Sequence, residues 1–254
     1  MSWTAVVLAG SRPGVDPLAE AFGAELKPLI PVAGEPMVRR PVRALLAVRE
    51  IRTVVVVSQR PAQIASVVHD DVRLTVRESR GTIAETLLEL CWDRSVEWPV
   101  LVTTADHALL DRPMIEQFCG GAASSDIAIG VVERNSILRR FPEAKRTWLK
   151  FRGGAYTGAN LFALGSPKAA AAIELWRSVE QDRKQGWRFV SLLGPLVLLG
   201  TALRLLSIDQ VLARLGRRID LNVKAVRLNN PLAGIDVDKV EDHALVEAIL
   251  EGRA

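Results

Sequence analysis

A threonine followed by four valines, at 53–57, restricts the fold of this chain more than any other feature. β-branched residues suit strands. A strand with no polar position has no face to give to water, so it must be covered on both sides. Two more apolar runs of strand length, 4–8 and 99–104, read the same way, and 72–76 and 127–132 extend the series. Helical patterns lie between them at 38–49, 62–69 and 82–92, with another starting at 113. Buried strands alternating with helices predict an α/β fold: a mostly parallel, twisted sheet with helices on both faces. The pattern loosens after Val132. A polar, basic stretch covers 133–152, and a strand is expected at 158–164. Ser166 and Pro167 open a helix to about residue 182, followed by an apolar, helix-rich stretch at 189–215. Strands at 223–228 and 232–237 and a helix at 240–250 close the chain. No linker and no repeat divides it. A single domain over 1–254 is expected, with a nucleotide-type half at 1–132 and an elaborated half at 133–254.

Composition removes several classes. With 49% hydrophobic and 24% charged residues, the chain is neither disordered nor fibrous. Two cysteines, Cys91 and Cys119, supply no disulfide framework and no four-ligand zinc site. A net charge of +4 is too mild to indicate nucleic acid. The opening residues carry no basic, signal-like segment. The charge-free stretch 189–203 is 15 residues long, short of the ~20 that span a bilayer. A cytoplasmic protein without a membrane span is expected.

Chemistry is concentrated at three places. Gly10, Ser11, Arg12 and Gly14 follow the first strand, where α/β proteins bind ligands and where small residues let backbone N–H groups approach an anion. This is neither a dinucleotide fingerprint nor a P-loop. Asp106 ends the strand at 99–104, on the same rim as the Gly loop. It could serve as a metal ligand or cap the next helix, although Asp111 is better placed for the cap. Asp236 and Asp238 lie two apart at the end of the expected strand, facing one side. Glu241 stands three beyond Asp238, so a capping box also accounts for Asp238.

The run Lys27-Pro28-Leu29-Ile30-Pro31-Val32-Ala33-Gly34-Glu35-Pro36, set behind the Gly loop, resembles the opening of the MobA-like NTP transferases, nucleotidyltransferases of the glycosyltransferase-A-like, Rossmann-like fold. Ala105-Asp106 and Gly234-Ile235-Asp236-Val237-Asp238 resemble that family's later metal-binding stretches. The resemblance implies that Gly10, Ser11, Arg12 and Gly14 wrap a triphosphate and that Lys27 neutralises it. It further implies catalytic roles for Lys27, Asp106 and Asp236, with Mg²⁺ held by Asp106 and Asp236 first and Asp238 second. Arg12 precedes Pro13-Gly14, whereas the family has Arg after the second Gly. Base and ribose contacts would fall at Gly81 and Thr82, although Thr82 and Glu85 also form a helix capping box. Tyr156, Gly158 and Asn160 resemble the acceptor-side strand. Seven basic residues at 133–152 against Glu133 and Glu143 suit a phosphorylated small molecule or lipid headgroup, although a solvated surface explains them too.

The resulting expectation is a Mg²⁺-dependent nucleotidylyltransferase that moves an NMP from an NTP to a phosphorylated acceptor with release of pyrophosphate. A glycosyltransferase of the same fold and a non-catalytic nucleotide-binding or membrane-surface module are the alternatives. The stretch 189–215 is read as a buried helical pair, a homodimer face or a peripheral membrane contact. His69, His107 and His243 are too scattered to form a metal triad, and His107 either orients Asp106 or packs.

Overall fold

The computed structural model describes residues 1–10, 14, 16–68, 71–79, 81–181, 200–201 and 203–254. Ten strands are described: β1 (Trp3–Leu8), β2 (Pro31–Val32), β3 (Glu35–Pro36), β4 (Ile51–Ser58), β5 (Leu74–Glu78), β6 (Val100–Thr104), β7 (Ile127–Glu133), β8 (Leu149–Phe151), β9 (Gly154–Leu164) and β10 (Val223–Arg227). Eight of them form one sheet in the order β10-β7-β9-β6-β1-β4-β5, with β8 paired to β9. Its pairs are parallel except those made by β9, which runs against β6, β7 and β8. The small β2–β3 hairpin stands apart.

The helices are α1 (Pro17–Ala21), α2 (Arg39–Leu46), α3 (Pro61–Ala65), α4 (Ile83–Trp92), α5 (Arg112–Ala122), α6 (Arg134–Arg140), α7 (Ala170–Gln181), α8 (Ile208–Arg218) and α9 (Val240–Leu250). They cover both faces of the sheet, as the valine run requires. Val54 and Val56 join Ala5, Val7 and Leu101 under α2 and α5, with Leu45, Met114, Ile115 and Phe118. Val55 and Val57 face the other way with Val6, Val100 and Val102, against Leu87, Leu88 and Cys91 of α4 and Ile173 of α7. Each buried Val stabilises the fold by about 1.5–3 kcal/mol, and alternate residues of one strand supply both layers.

A third cluster holds the sheet's functional rim together. Ile30, Val32 and Met37 meet Ala108, Leu109, Phe141, Ile235, Val237 and Val246. It packs the segments after Lys27, after Asp106 and around Asp236 against one another.

Three expectations change. The segment 232–237 is no strand: Pro231–Gly234 forms a 3₁₀ turn, and 235–237 runs extended without joining the sheet. Its Val237 N–H instead donates to the Asp106 carbonyl at 3.1 Å. The polar stretch at 133–152 carries α6, β8 and the loop between them, with Ile137 as the buried anchor of α6. Of 189–215, residues 189–199 and 202 lie outside the described residues. Leu203 and Leu205 are exposed, and α8 begins with a capping box of Ser207 and Gln210. Among the described residues, no helix is long and apolar enough to cross a membrane.

Both cysteines are buried. Burial pushes the Cys91 thiol up to about 11 and, with Glu50 adding to it, the Cys119 thiol up to about 12. Thiolate is the reactive form. Ellman's reagent at mildly alkaline pH is therefore expected to leave the folded protein unmodified and to titrate both thiols in concentrated guanidinium. Rapid labelling of the native chain would contradict this packing.

Candidate active site

The chain passes from β1 outward to β4 and β5, then returns to place β6 on the other side of β1. The C-terminal ends of β1 and β6 therefore flank the point where the winding reverses, the usual ligand crevice of an open α/β sheet. Gly10 emerges from β1 on one side of it. A Cβ there would meet the Gln59 amide at 2.8 Å, so the backbone passes that side chain closely. Gly14 has φ +102°, a conformation that disfavours other residues. Ser11 and Arg12, assigned to the same loop from the sequence, lie outside the described residues.

Lys27 opens a 3₁₀ turn, Lys27–Leu29, that closes with Ile30 N–H donating to the Lys27 carbonyl at 3.2 Å. Buried Leu26 and Ile30 fix the turn and leave the Lys27 side chain at the rim. Its ammonium donates to Asp106 Oδ2 at 2.7 Å and to Asp238 Oδ1 at 2.8 Å. Burial opposes the charge, but the two carboxylates outweigh it and hold the lysine above its usual pKa.

Asp106 sits just past β6, where Ala105 N–H donates to the Leu8 carbonyl at 3.0 Å and ties the turn to β1. Thr104 Oγ1 donates to Asp106 Oδ1 at 2.5 Å. Asp106 is not a helix cap. Asp111 caps α5, accepting from Met114 N–H at 2.8 Å, as its spacing suggested. His107 is buried, and neither ring nitrogen has a hydrogen-bond partner among the described residues. Burial pushes it down to about 4 against the pull of Asp106. A neutral packing role fits it.

Asp236 is gripped from two sides. Arg146 Nη1 donates to its Oδ1 at 2.5 Å, and Asn160 Nδ2 donates to its Oδ2 at 2.9 Å. Burial raises the Asp236 pKa and the Asp238 charge adds to this, while Arg146 opposes both. Leu161 pairs with Thr103 across β6 and β9, so Asn160 reaches the rim beside Asp106. Asn160 takes φ +47°, a left-handed conformation that Asn tolerates better than most residues. Arg146 Nη2 also donates to the Asp236 carbonyl at 3.2 Å and to Asp242 Oδ1 at 3.0 Å. Asp242 Oδ2 accepts from the N–H groups of Lys239 and Asp238. The box expected between Asp238 and Glu241 does not form: α9 is capped one residue later, through Asp242. That frees the Asp238 side chain for Lys27.

The remaining candidates lie differently. Thr82 caps α4 and accepts from Glu85 N–H at 3.3 Å, and Gly81 packs on the Glu85 side chain. Tyr156, expected as an acceptor contact, is a strand residue buried with Val131, Ile208 and Ala225 under the Arg227 guanidinium. Gly158 is exposed on β9 opposite Val131. Arg146 was not singled out from the sequence. Nothing separated it from the other basic residues at 133–152, because its partners lie about 90 positions away.

Four carboxylates (Asp106, Asp236, Asp238, Asp242) face two cations (Lys27, Arg146), a local excess of two negative charges. Among the described residues, no group of three or more His, Cys, Asp or Glu side chains is arranged to hold a metal ion. The donors at the rim are nonetheless hard oxygens, two of which already share one cation, the Lys27 ammonium. Mg²⁺ prefers such a set, with one or two carboxylates completed by phosphate oxygens and water.

The Arg146–Asp236 pair is testable. Removing the guanidinium leaves a mostly buried carboxylate with its charge uncompensated. Arg146→Ala should cost about 2 kcal/mol or more in urea denaturation, and Asp236→Asn in the same chain should restore part of it. A loss no larger than that of a surface substitution would show the pair to be energetically idle.

Comparison with known proteins supplies the context. The family model for the MobA-like NTP transferase domain matches residues 5–194. A structure titled as a hypothetical transferase from Thermus thermophilus is 31% identical, with a TM-score of 0.80 over 96% of this chain and all of that one. The 4-diphosphocytidyl-2C-methyl-D-erythritol synthase of Anaerococcus prevotii is similar in fold at 13% identity and a TM-score of 0.61, over 98% of this chain and 96% of that one. A CMP:2-keto-3-deoxy-manno-octonic acid synthetase complexed with CTP is similar at 11% identity and a TM-score of 0.62, over the whole of both chains. No curated protein matches the chain at a significant level.

Proposed function

This chain belongs to the MobA-like NTP transferase family, and from that premise we propose that it is a Mg²⁺-dependent nucleotidylyltransferase whose acceptor is a phosphorylated small molecule or lipid headgroup. The observation that carries this reading is the meeting of Lys27, Asp106 and Asp238 within hydrogen-bond distance at the β1–β6 crevice. A family resemblance between short motifs does not by itself bring those segments together.

In this reading an acceptor phosphate oxygen attacks the α-phosphorus of the NTP. The bond from that phosphorus to the bridging oxygen of the β-phosphate breaks, and pyrophosphate leaves with the electron pair. Both reactants are anions, so screening and alignment dominate the barrier. Lys27 supplies a compact positive charge to the phosphate oxygens. The backbone at Gly10, with Ser11, Arg12 and Gly14, cradles the triphosphate. Asp106, with Asp236 and Asp238, would hold Mg²⁺. When bound, that ion neutralises the charge that develops on the α-phosphate and the leaving group. The local excess of negative charge supports the metal, because a triphosphate would otherwise be repelled from these carboxylates. Arg146 and Asn160 keep the Asp236 carboxylate oriented. Gly158 and Asn160 border the acceptor side, with buried Tyr156 supporting the strand beneath. Base and ribose contacts are assigned in this reading to Gly81 and Thr82, on the family resemblance of their turn.

The test is pyrophosphate release from four NTPs with Mg²⁺ against phospho-alcohols, phospho-sugars and phosphorylated pterins. One combination is expected to turn over, and Asp106→Asn is expected to lower kcat by about a hundredfold or more without loss of fold. Undiminished turnover by Asp106→Asn would remove the central role given to that carboxylate. A panel without turnover would count against the proposed acceptor class.

A further inference from the structure

Lys27 does more here than wait at the edge of a phosphate site. Its ammonium bridges Asp106 Oδ2 and Asp238 Oδ1 at 2.7 and 2.8 Å, short charge-assisted contacts at the point where a cation shared by the two carboxylates would sit. The other Asp106 oxygen is engaged by Thr104, and both Asp236 oxygens are engaged by Arg146 and Asn160. Five of the six oxygens of these three carboxylates therefore have partners within the protein. A divalent cation that bridges these carboxylates competes with those partners for their oxygens. Arg146 is the harder one to move, since its guanidinium also spans Asp242 and the Asp236 carbonyl and its side chain is only 8% exposed. Lys27 has a flexible four-carbon stem on a turn whose backbone is fixed by its own hydrogen bonds. It is the one that can leave without disturbing the fold.

We propose that Lys27 is an internal surrogate for the divalent cation, held on Asp106 and Asp238 until a polyphosphate draws it away, so that metal and nucleotide enter the site together. The inference rests on the reading of this rim as a metal and nucleotide site, and adds to it an order. Metal alone binds poorly, because it competes with a tethered ammonium at high effective concentration. Metal arriving with a polyphosphate binds well, because the phosphate oxygens replace the carboxylates as partners of Lys27. The coupling is reciprocal, as any binding linkage must be. It keeps a cation on Asp106 and Asp238 at every stage and discourages metal from occupying the site without substrate.

Mn²⁺ is a suitable probe, followed by the electron paramagnetic resonance of the free ion and by water-proton relaxation enhancement. With Mn²⁺ alone, the wild-type protein should bind weakly. Lys27→Met and the more polar Lys27→Gln should bind at least tenfold more tightly, and adding Asp106→Asn to Lys27→Met should abolish the gain. Equal affinity in wild type and both variants would overturn the proposal, as would a gain that survives Asp106→Asn. The wild type supplies an arm that needs no substitution: Mn²⁺ with inorganic triphosphate should give an enhanced relaxation signal that Mn²⁺ alone does not. The same signal from Mn²⁺ alone would overturn the proposal even if neither variant folds. Pyrophosphate release by the wild type, measured alongside, separates the two levels. Turnover without the coupling defeats only the surrogate role, whereas absence of both turnover and any Mn²⁺ signal defeats the site reading with it.

Discussion

One ammonium group, that of Lys27, draws together carboxylates that stand 79 and 211 positions away in the chain. Three like charges on Asp106, Asp236 and Asp238 at one crevice would repel without it. Their coexistence depends on Lys27 and Arg146, two cations from segments that belong to neither the aspartate loops nor the sheet. The remainder of the rim can be understood as the framework that keeps these charges in register.

That framework is apolar. The cluster around Ile30, Met37, Leu109, Phe141, Ile235 and Val237 sits directly behind the charged residues. It fixes the Lys27 turn, the Asp106 turn and the 235–237 segment to one another. A dry backing lowers the local dielectric, which strengthens each ion pair and makes an unpaired charge there more costly. Burial pushes the two groups in opposite directions: it lowers Lys27, which ends above its usual value because Asp106 and Asp238 outweigh it, and it raises Asp236, where the Asp238 charge adds to it against Arg146.

Membership in a nucleotidyltransferase family makes the chain a transferase, and the crevice between β1 and β6 is the place proposed for that chemistry. The half of the chain after Val132 contributes as much to the crevice as the first half does. β9 delivers Asn160, the loop before β8 delivers Arg146, and the segment before α9 delivers Asp236 and Asp238. β9 is the antiparallel strand of the main path, and its reversal is what lets Asn160, just past its middle, stand beside the end of β6.

The valine run, the alternation of apolar strands with helices, and the caps at Thr82 and Asp111 were all legible in the amino-acid order, because burial and helix capping are local properties of neighbouring residues. So were Lys27, Asp106 and Asp236 as residues worth watching, through short motifs. Tertiary structure alone decided who meets whom. Asp238 turned from an expected cap to a partner of Lys27 because Asp242 took over the helix end. Tyr156 went into a core because β9 turns it toward Ile208, and the expected strand at 232–237 never joined the sheet because Val237 found its acceptor on Asp106. Arg146 became the anchor of Asp236 through contacts 90 positions apart. A local pattern specifies which backbone shape is cheap and which face is apolar. Pairing between distant charges is set only when packing brings their segments to the same rim, and no periodicity in the chain encodes that.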